Sequence, residues 1–110
     1  MVKKRVYSTY AQEAAFLIGQ QIKLARKNRK WSSANLAERA GITRLTLQKI
    51  EAGDMKTSIG LVFEVAVIVG VTLFDEDKQH LSTNIELIQS KIQLLPKRIR
   101  NQNKVVDDDF

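Results

Sequence analysis

The sequence predicts an all-α protein on three observations. Apolar residues recur at intervals of three and four in separate blocks, the period of helices resting on a core. Ser or Thr stands just ahead of these blocks and Gly just after several of them, the punctuation of helix starts and stops. Extended character is confined to Val71, Thr72, Leu73 and Phe74, where a short strand is expected.

The elements follow in order. Residues 1–8 read as a basic arm carrying Lys3, Lys4 and Arg5, and no apolar run follows them as a secretory leader would require. Thr9 with Gln12 fits a capping box, so a first helix is expected from near Tyr10. Its apolar stripe is Ala14, Leu17, Ile18, Ile22 and Ala25, as far as the charged run Arg26 to Lys30. Trp31 is placed in the corner between this helix and the next. Ser32 suits the N-cap of a second helix, with Leu36, Ala37 and Ala40 inward. Gly41 supplies the left-handed residue of a tight turn, and Ile42 closes it. Thr43 caps a third helix, lined inside by Leu47 and Ile50 and ended by Gly53.

A fourth helix is expected over residues 58–69, ending at Gly70. It is apolar nearly all round, which implies burial against several neighbours. Asp75 to Lys78 reads as a charged linker, and Thr83 with Glu86 as a second capping box opening a fifth helix over residues 84–95. Leu81, Ile85, Ile88, Ile92 and Leu95 are spaced four, three, four and three apart, a coiled-coil-like seam. Leu87 and Leu94 form a second apolar edge. One stripe is expected to dock on the parent domain and the other to meet a partner, as in a homodimer. Pro96 stops the helix. The tail that follows is first basic (Lys97, Arg98, Arg100, Lys104) and then acidic (Asp107 to Asp109, before Phe110), and is expected to be disordered. The chain thus divides into an arm (1–8), a helical domain (9–74), a dimerisation or partner helix (75–96) and a tail (97–110).

Composition narrows the chemistry. The 110 residues include no cysteine, which removes disulfides, thiolate nucleophiles and cysteine-based zinc sites together. No metal site or cofactor is expected; neighbouring aspartates in a tail form no preformed cage. His80, the one histidine, has no triad context, and no Gly-rich phosphate loop is present, so an enzyme is the least expected class. The longest apolar run, Ile59 to Leu73, is too short and too interrupted to span a bilayer, so a cytoplasmic protein is expected. Charge is unevenly distributed. Residues 1–56 hold twelve Lys or Arg against four Asp or Glu, a balance of +8, whereas residues 57–110 balance at −2. The positive field belongs to the half with the paired short helices, where it would attract phosphate.

Between the inward positions of the third helix stand Arg44, Thr46, Gln48 and Lys49. A helix with one buried side and an outward row of hydrogen-bonding side chains suits a DNA major groove. Residues 33–53, SANLAERAGITRLTLQKIEAG, therefore read as a DNA-binding helix-turn-helix. With Leu36-Ala37, Gly41-Ile42, Leu47, Ile50-Glu51 and Gly53 at matching spacing, Ile18 to Phe74 resembles the Xre/Cro/C1-type family. The resemblance implies a five-helix, lambda-repressor-like domain. It places base reading at Arg44, Leu45, Thr46, Gln48 and Lys49, and phosphate contacts at Arg26, Lys27, Ser33, Thr43 and Lys56. It further implies an ion pair between Arg26 and Glu51, expected at the surface. Ser33 departs from the family, which often has a longer Gln there to brace the first reading residue. The ending LLPKRIRNQNKVVDDDF and the segment VTLFD resemble HipB-kind antitoxins, which implies a repressor of its own operon assembled with a HipA-like kinase toxin. The alternative is a stand-alone Xre-type or phage-type repressor. In either case the expected ligand is a double-stranded inverted-repeat operator.

Overall fold

The computed structural model of the protein describes residues 4–75 and 78–98. It contains α1 (Thr9–Asn28), α2 (Ser33–Ala40), α3 (Arg44–Glu51), α4 (Ile59–Val69) and α5 (Lys78–Gln93), with a short 3₁₀ turn at Leu73–Asp75. The all-α expectation holds, and no strand occurs among the described residues. Two compact units are present, residues 1–75 and residues 76–110. No described helix is long and apolar enough to cross a membrane.

Local chemistry starts and stops the helices of the first unit. Ser32, Thr43 and Ser58 are the N-caps of α2, α3 and α4, each accepting a hydrogen bond from the amide three residues on. At α1 the cap is Ser8, one residue before the expected Thr9: Ser8 Oγ accepts from Ala11, while Gln12 Nε2 donates to the Tyr7 carbonyl. Gly41 has φ 70°, and Ile42 N–H then reaches the Ala37 carbonyl at 3.0 Å, the wrapped-back end of a helix closed by a left-handed residue.

The core is formed by Ile22 from α1, Leu36 and Ala37 from α2, Leu47 and Ile50 from α3, and Val65, Ala66 and Val69 from α4. Trp31 packs against it from the α1–α2 corner, flanked by the guanidiniums of Arg29 and Arg39 at 5.1 and 4.0 Å from its ring. Leu17, expected inward, is exposed. The buried side of α1 is centred on Ile22 and includes Gly19 and Arg26, which turns Leu17 out. Burial of α4 is one-sided rather than all round, since Ile59 and Val67 face outward. Val71–Phe74 is no strand. Val71 N–H closes α4 on the Ala66 carbonyl, Leu73 packs against the core, and the Phe74 ring meets Phe63 edge-on at 6.0 Å. With no neighbouring strand among the described residues to pair with, β-propensity yields to side-chain packing.

In the second unit α5 begins at Lys78, earlier than the capping box indicates. Thr83 lies inside the helix and its hydroxyl donates back to the Gln79 carbonyl at 3.1 Å. His80 therefore lies on a helix rather than in a linker, with its side chain exposed. The helix ends at Gln93, three residues before Pro96. Ile85, Ile88, Ile92 and Leu95 are each more than half exposed, as are Leu87 and Leu94, while Leu81 is partly covered. The expected tail from residue 99 on, like residues 1–3 of the arm, lies outside the described residues.

Candidate nucleic-acid interface

Two eight-residue helices and a short turn build the candidate site. Leu36 and Ala37 of α2 pack against Leu47 and Ile50 of α3, so the inner side of α3 is fixed in the core. At about 100° per residue, Arg44, Leu45, Gln48 and Lys49 then share the opposite side. All four are exposed, Leu45 among them despite being apolar. Arg44 and Gln48, like Leu45 and Lys49, are one turn apart, so the outward face is two parallel rows. Thr46 falls outside both. It is partly buried, and its hydroxyl accepts from Thr43 Oγ1 at 3.0 Å while its amide donates to that same oxygen at 3.1 Å. Thr43 and Thr46 thus hold the start of the helix together, a capping role for Thr46 that its expected place among the base readers does not include.

Arg26 and Glu51 join α1 to the end of α3. Arg26 Nε donates to Glu51 Oε2 at 2.8 Å, Nη2 to Oε1 at 3.1 Å, and Nη1 to the Trp31 carbonyl at 3.0 Å. Both residues are only 7% exposed. The pair is therefore buried, not at the surface, and the guanidinium expected to contact phosphate is held by three hydrogen bonds at the edge of a cleft. Gly19 permits the close α1–α3 approach that buries it: a Cβ there would collide with the Ile50 carbonyl and lie 2.7 Å from that of Glu51.

Beside the pair opens a cleft of about 610 Å³, lined by Gln20 and Lys23 of α1, Ser33 at the start of α2, and Gln48 of α3. Gln20 is anchored there through Nε2 to the Glu51 carbonyl at 3.2 Å. Ser33 is partly buried in this cleft and is not the cap of α2, a role taken by Ser32. Lys27 and Lys56 are exposed. Sequence reasoning missed Gln20 and Lys23. The signal for Lys23 was its place one helical turn before Lys27, which puts both ammonium groups on one side of α1. A cationic side chain, a hydroxyl and amides around a cleft open to the reading helix can take a phosphate and position α3 in a groove.

The family comparison agrees with this geometry. Residues 22–75 match the helix-turn-helix family model. Over those residues the chain is similar to helix-turn-helix domains of the Xre/Cro/C1 type. Such domains belong to DNA-binding transcriptional regulators, and the family is not one of enzymes. No curated protein and no solved structure matches the chain. The matched segment starts at Ile22, inside α1, and spans α2 and α3 through the 3₁₀ turn after α4, so it contains the whole reading unit of this helix-turn-helix domain.

Proposed function

We propose that this helix-turn-helix protein is a sequence-specific transcriptional repressor that binds an inverted-repeat operator as a homodimer in the cytoplasm. The observation that carries the reading is the outward face of α3. Arg44 at its start has the reach and fork for a bidentate contact to guanine N7 and O6, worth about 1–3 kcal/mol of base discrimination. Leu45 offers a thymine methyl an apolar contact, and Lys49 reaches guanine or phosphate. Lys23, Lys27, Ser33 and Lys56 supply backbone contacts, which fix register without reading sequence. Dimerisation falls to α5 and the residues just after it through Leu81, Ile85, Ile88, Ile92 and Leu95, whose apolar seam is largely exposed in the single chain. Footprinting on the DNA upstream of its own gene tests the reading. Two protected half-sites with centres about 34–36 Å apart are expected. Absence of a protected inverted repeat refutes it.

A finer reading makes this repressor the antitoxin of a HipA-like kinase toxin. It rests on the resemblance of the C-terminal extension. The neighbouring segment VTLFD lends it no support, since Leu73–Asp75 is a 3₁₀ turn rather than an extended strand. Co-purification with a kinase-like product of an adjacent gene supports the antitoxin reading. A repressor that shifts its operator alone and retains no such protein is instead a stand-alone Xre-type regulator.

A further inference from the structure

The long first helix has an apolar stripe that its own domain leaves uncovered. Tyr10, Leu17 and Leu24 are 84%, 60% and 62% exposed, and Ala14 and Gln21 between them are exposed as well. These five positions are spaced four, three, four and three apart, the same spacing as Leu81, Ile85, Ile88 and Ile92 on α5 and Leu95 just beyond its end. The α1 stripe covers fourteen residue steps, about 21 Å of helix, and the helical part of the other, Leu81 to Ile92, covers eleven, about 17 Å. We propose that α5 of one copy packs antiparallel along the α1 stripe of a second copy, and the reverse, so that the dimer is closed by two equal α1–α5 contacts. The proposal deepens the dimeric reading above and rests on it.

Register and charge set the direction. Antiparallel alignment brings Ile92 to Tyr10, Ile88 to Ala14, Ile85 to Leu17 and Leu81 to Gln21, so an aliphatic pair lies at the centre and the polar Gln21 falls toward an end. In heptad terms Glu13 and Lys91 both sit just before an a-type position, where antiparallel helices place like-lettered flanks face to face. The alignment therefore sets Glu13 of α1 against Lys91 of the second copy's α5. Parallel alignment instead places Lys91, Lys97 and Arg98 toward the end of α1 rich in Lys23, Lys27, Arg29 and Lys30. It also sets helix dipoles side by side in the same sense. The seam lies about 140° around α1 from Lys23, so the cleft beside α3 stays open to DNA. Exchange between two copies is isologous, each surface used once by each partner, and closes without leaving a free end.

The absence of cysteine makes the contact directly testable in the full chain. Glu13→Cys with Lys91→Cys in one polypeptide should give, on oxidation, a covalent dimer on a non-reducing gel, and Lys91→Cys alone should not. A monomer closed on itself places α5 on its own α1 and overturns the exchange. A dimer from Lys91→Cys alone reports pairing of α5 with α5 and overturns the partner assignment. No cross-link from the double variant overturns the alignment. Leu17→Glu, at an exposed site, should keep the far-UV spectrum of the parent while weakening dimerisation by about tenfold or more in sedimentation. Unchanged dimerisation refutes the surface. Glu13→Lys and Lys91→Glu should each weaken the dimer severalfold and restore it when combined. If the cross-link forms but the wild-type chain shows no sequence preference on DNA, the repressor reading fails while this surface stands. If preference persists without the cross-link, the surface fails alone.

Discussion

Replacing Glu51 by Ala asks how much of the fold depends on the bridge between α1 and α3. Arg26 would lose two acceptors, at 2.8 and 3.1 Å, and keep only the Trp31 carbonyl while staying 7% exposed. Removing one partner of a buried pair leaves an uncompensated charge and costs about 3–5 kcal/mol. A small domain has about 5–15 kcal/mol in total, so the variant should be close to unfolding. At about 4–8 °C per kcal/mol for a domain of this size, the melting temperature should fall by about 12 °C or more. Arg26→Met should cost a similar amount, because it leaves the Glu51 carboxylate buried and unpaired at a helix C-terminus, where the dipole opposes negative charge. Arg26→Met combined with Glu51→Leu should recover most of the loss, since apolar replacements of a buried pair are often neutral. Urea unfolding of the parent, Arg26→Met, Glu51→Leu and the double variant, followed by Trp31 fluorescence with far-UV dichroism alongside, gives all four corners of the cycle. Single variants that lose under about 1 kcal/mol and add without coupling would show a pair behaving as an exposed one, and the burial argument would be refuted.

Other expectations follow from single positions. Gly41→Ala meets no atom within 4 Å and should cost only the strain of a left-handed alanine, about 1–2 kcal/mol, whereas Gly53→Ala also drives a Cβ to 2.7 Å from the Phe16 backbone and should cost about 1–3 kcal/mol more by thermal unfolding. Equal losses for the two would remove the role given to α1–turn contact. Lys30, at φ 61°, pays a similar left-handed strain after α1, so Lys30→Gly should stabilise by up to about 1 kcal/mol; a loss of stability contradicts this. On DNA, Arg44→Ala should relax preference for the operator over random duplex by about 1–3 kcal/mol. Lys23→Ala and Lys27→Ala should weaken both duplexes alike and lower the salt slope by about 1 each, read by titration at several salt concentrations. Uniform loss for Arg44→Ala would remove its reading role.

Much of the fold is visible in short-range pattern. The caps at Ser32, Thr43 and Ser58 and the left-handed Gly41 and Gly70 are local devices, settled by the residue and its next three or four neighbours. The outward row of α3 follows from its inward one. The errors share a different cause. Leu17 and the outer side of α4 have the composition of core residues, but which apolar residue is buried depends on how many helices surround it. Thr46 reads as a surface hydroxyl until Thr43 is seen to hold it. Gln20 and Lys23 enter the interface because the α1–α3 crossing brings them beside Ser33 and Gln48.

The chain by itself determined where its helices punctuate, which half is cationic, and which side of α3 carries the hydrogen-bonding row, because each depends on spacing and charge along one polypeptide. Only the tertiary structure decided that the pair of Arg26 and Glu51 lies inside the protein and not at its surface. Those residues are twenty-five positions apart, and their burial depends on Gly19 letting two backbones approach within a distance that any side chain would forbid. The stripe on α1 is likewise a tertiary fact. Apolar residues at helical spacing call for burial, but only the packed domain shows which of them are still waiting for a partner.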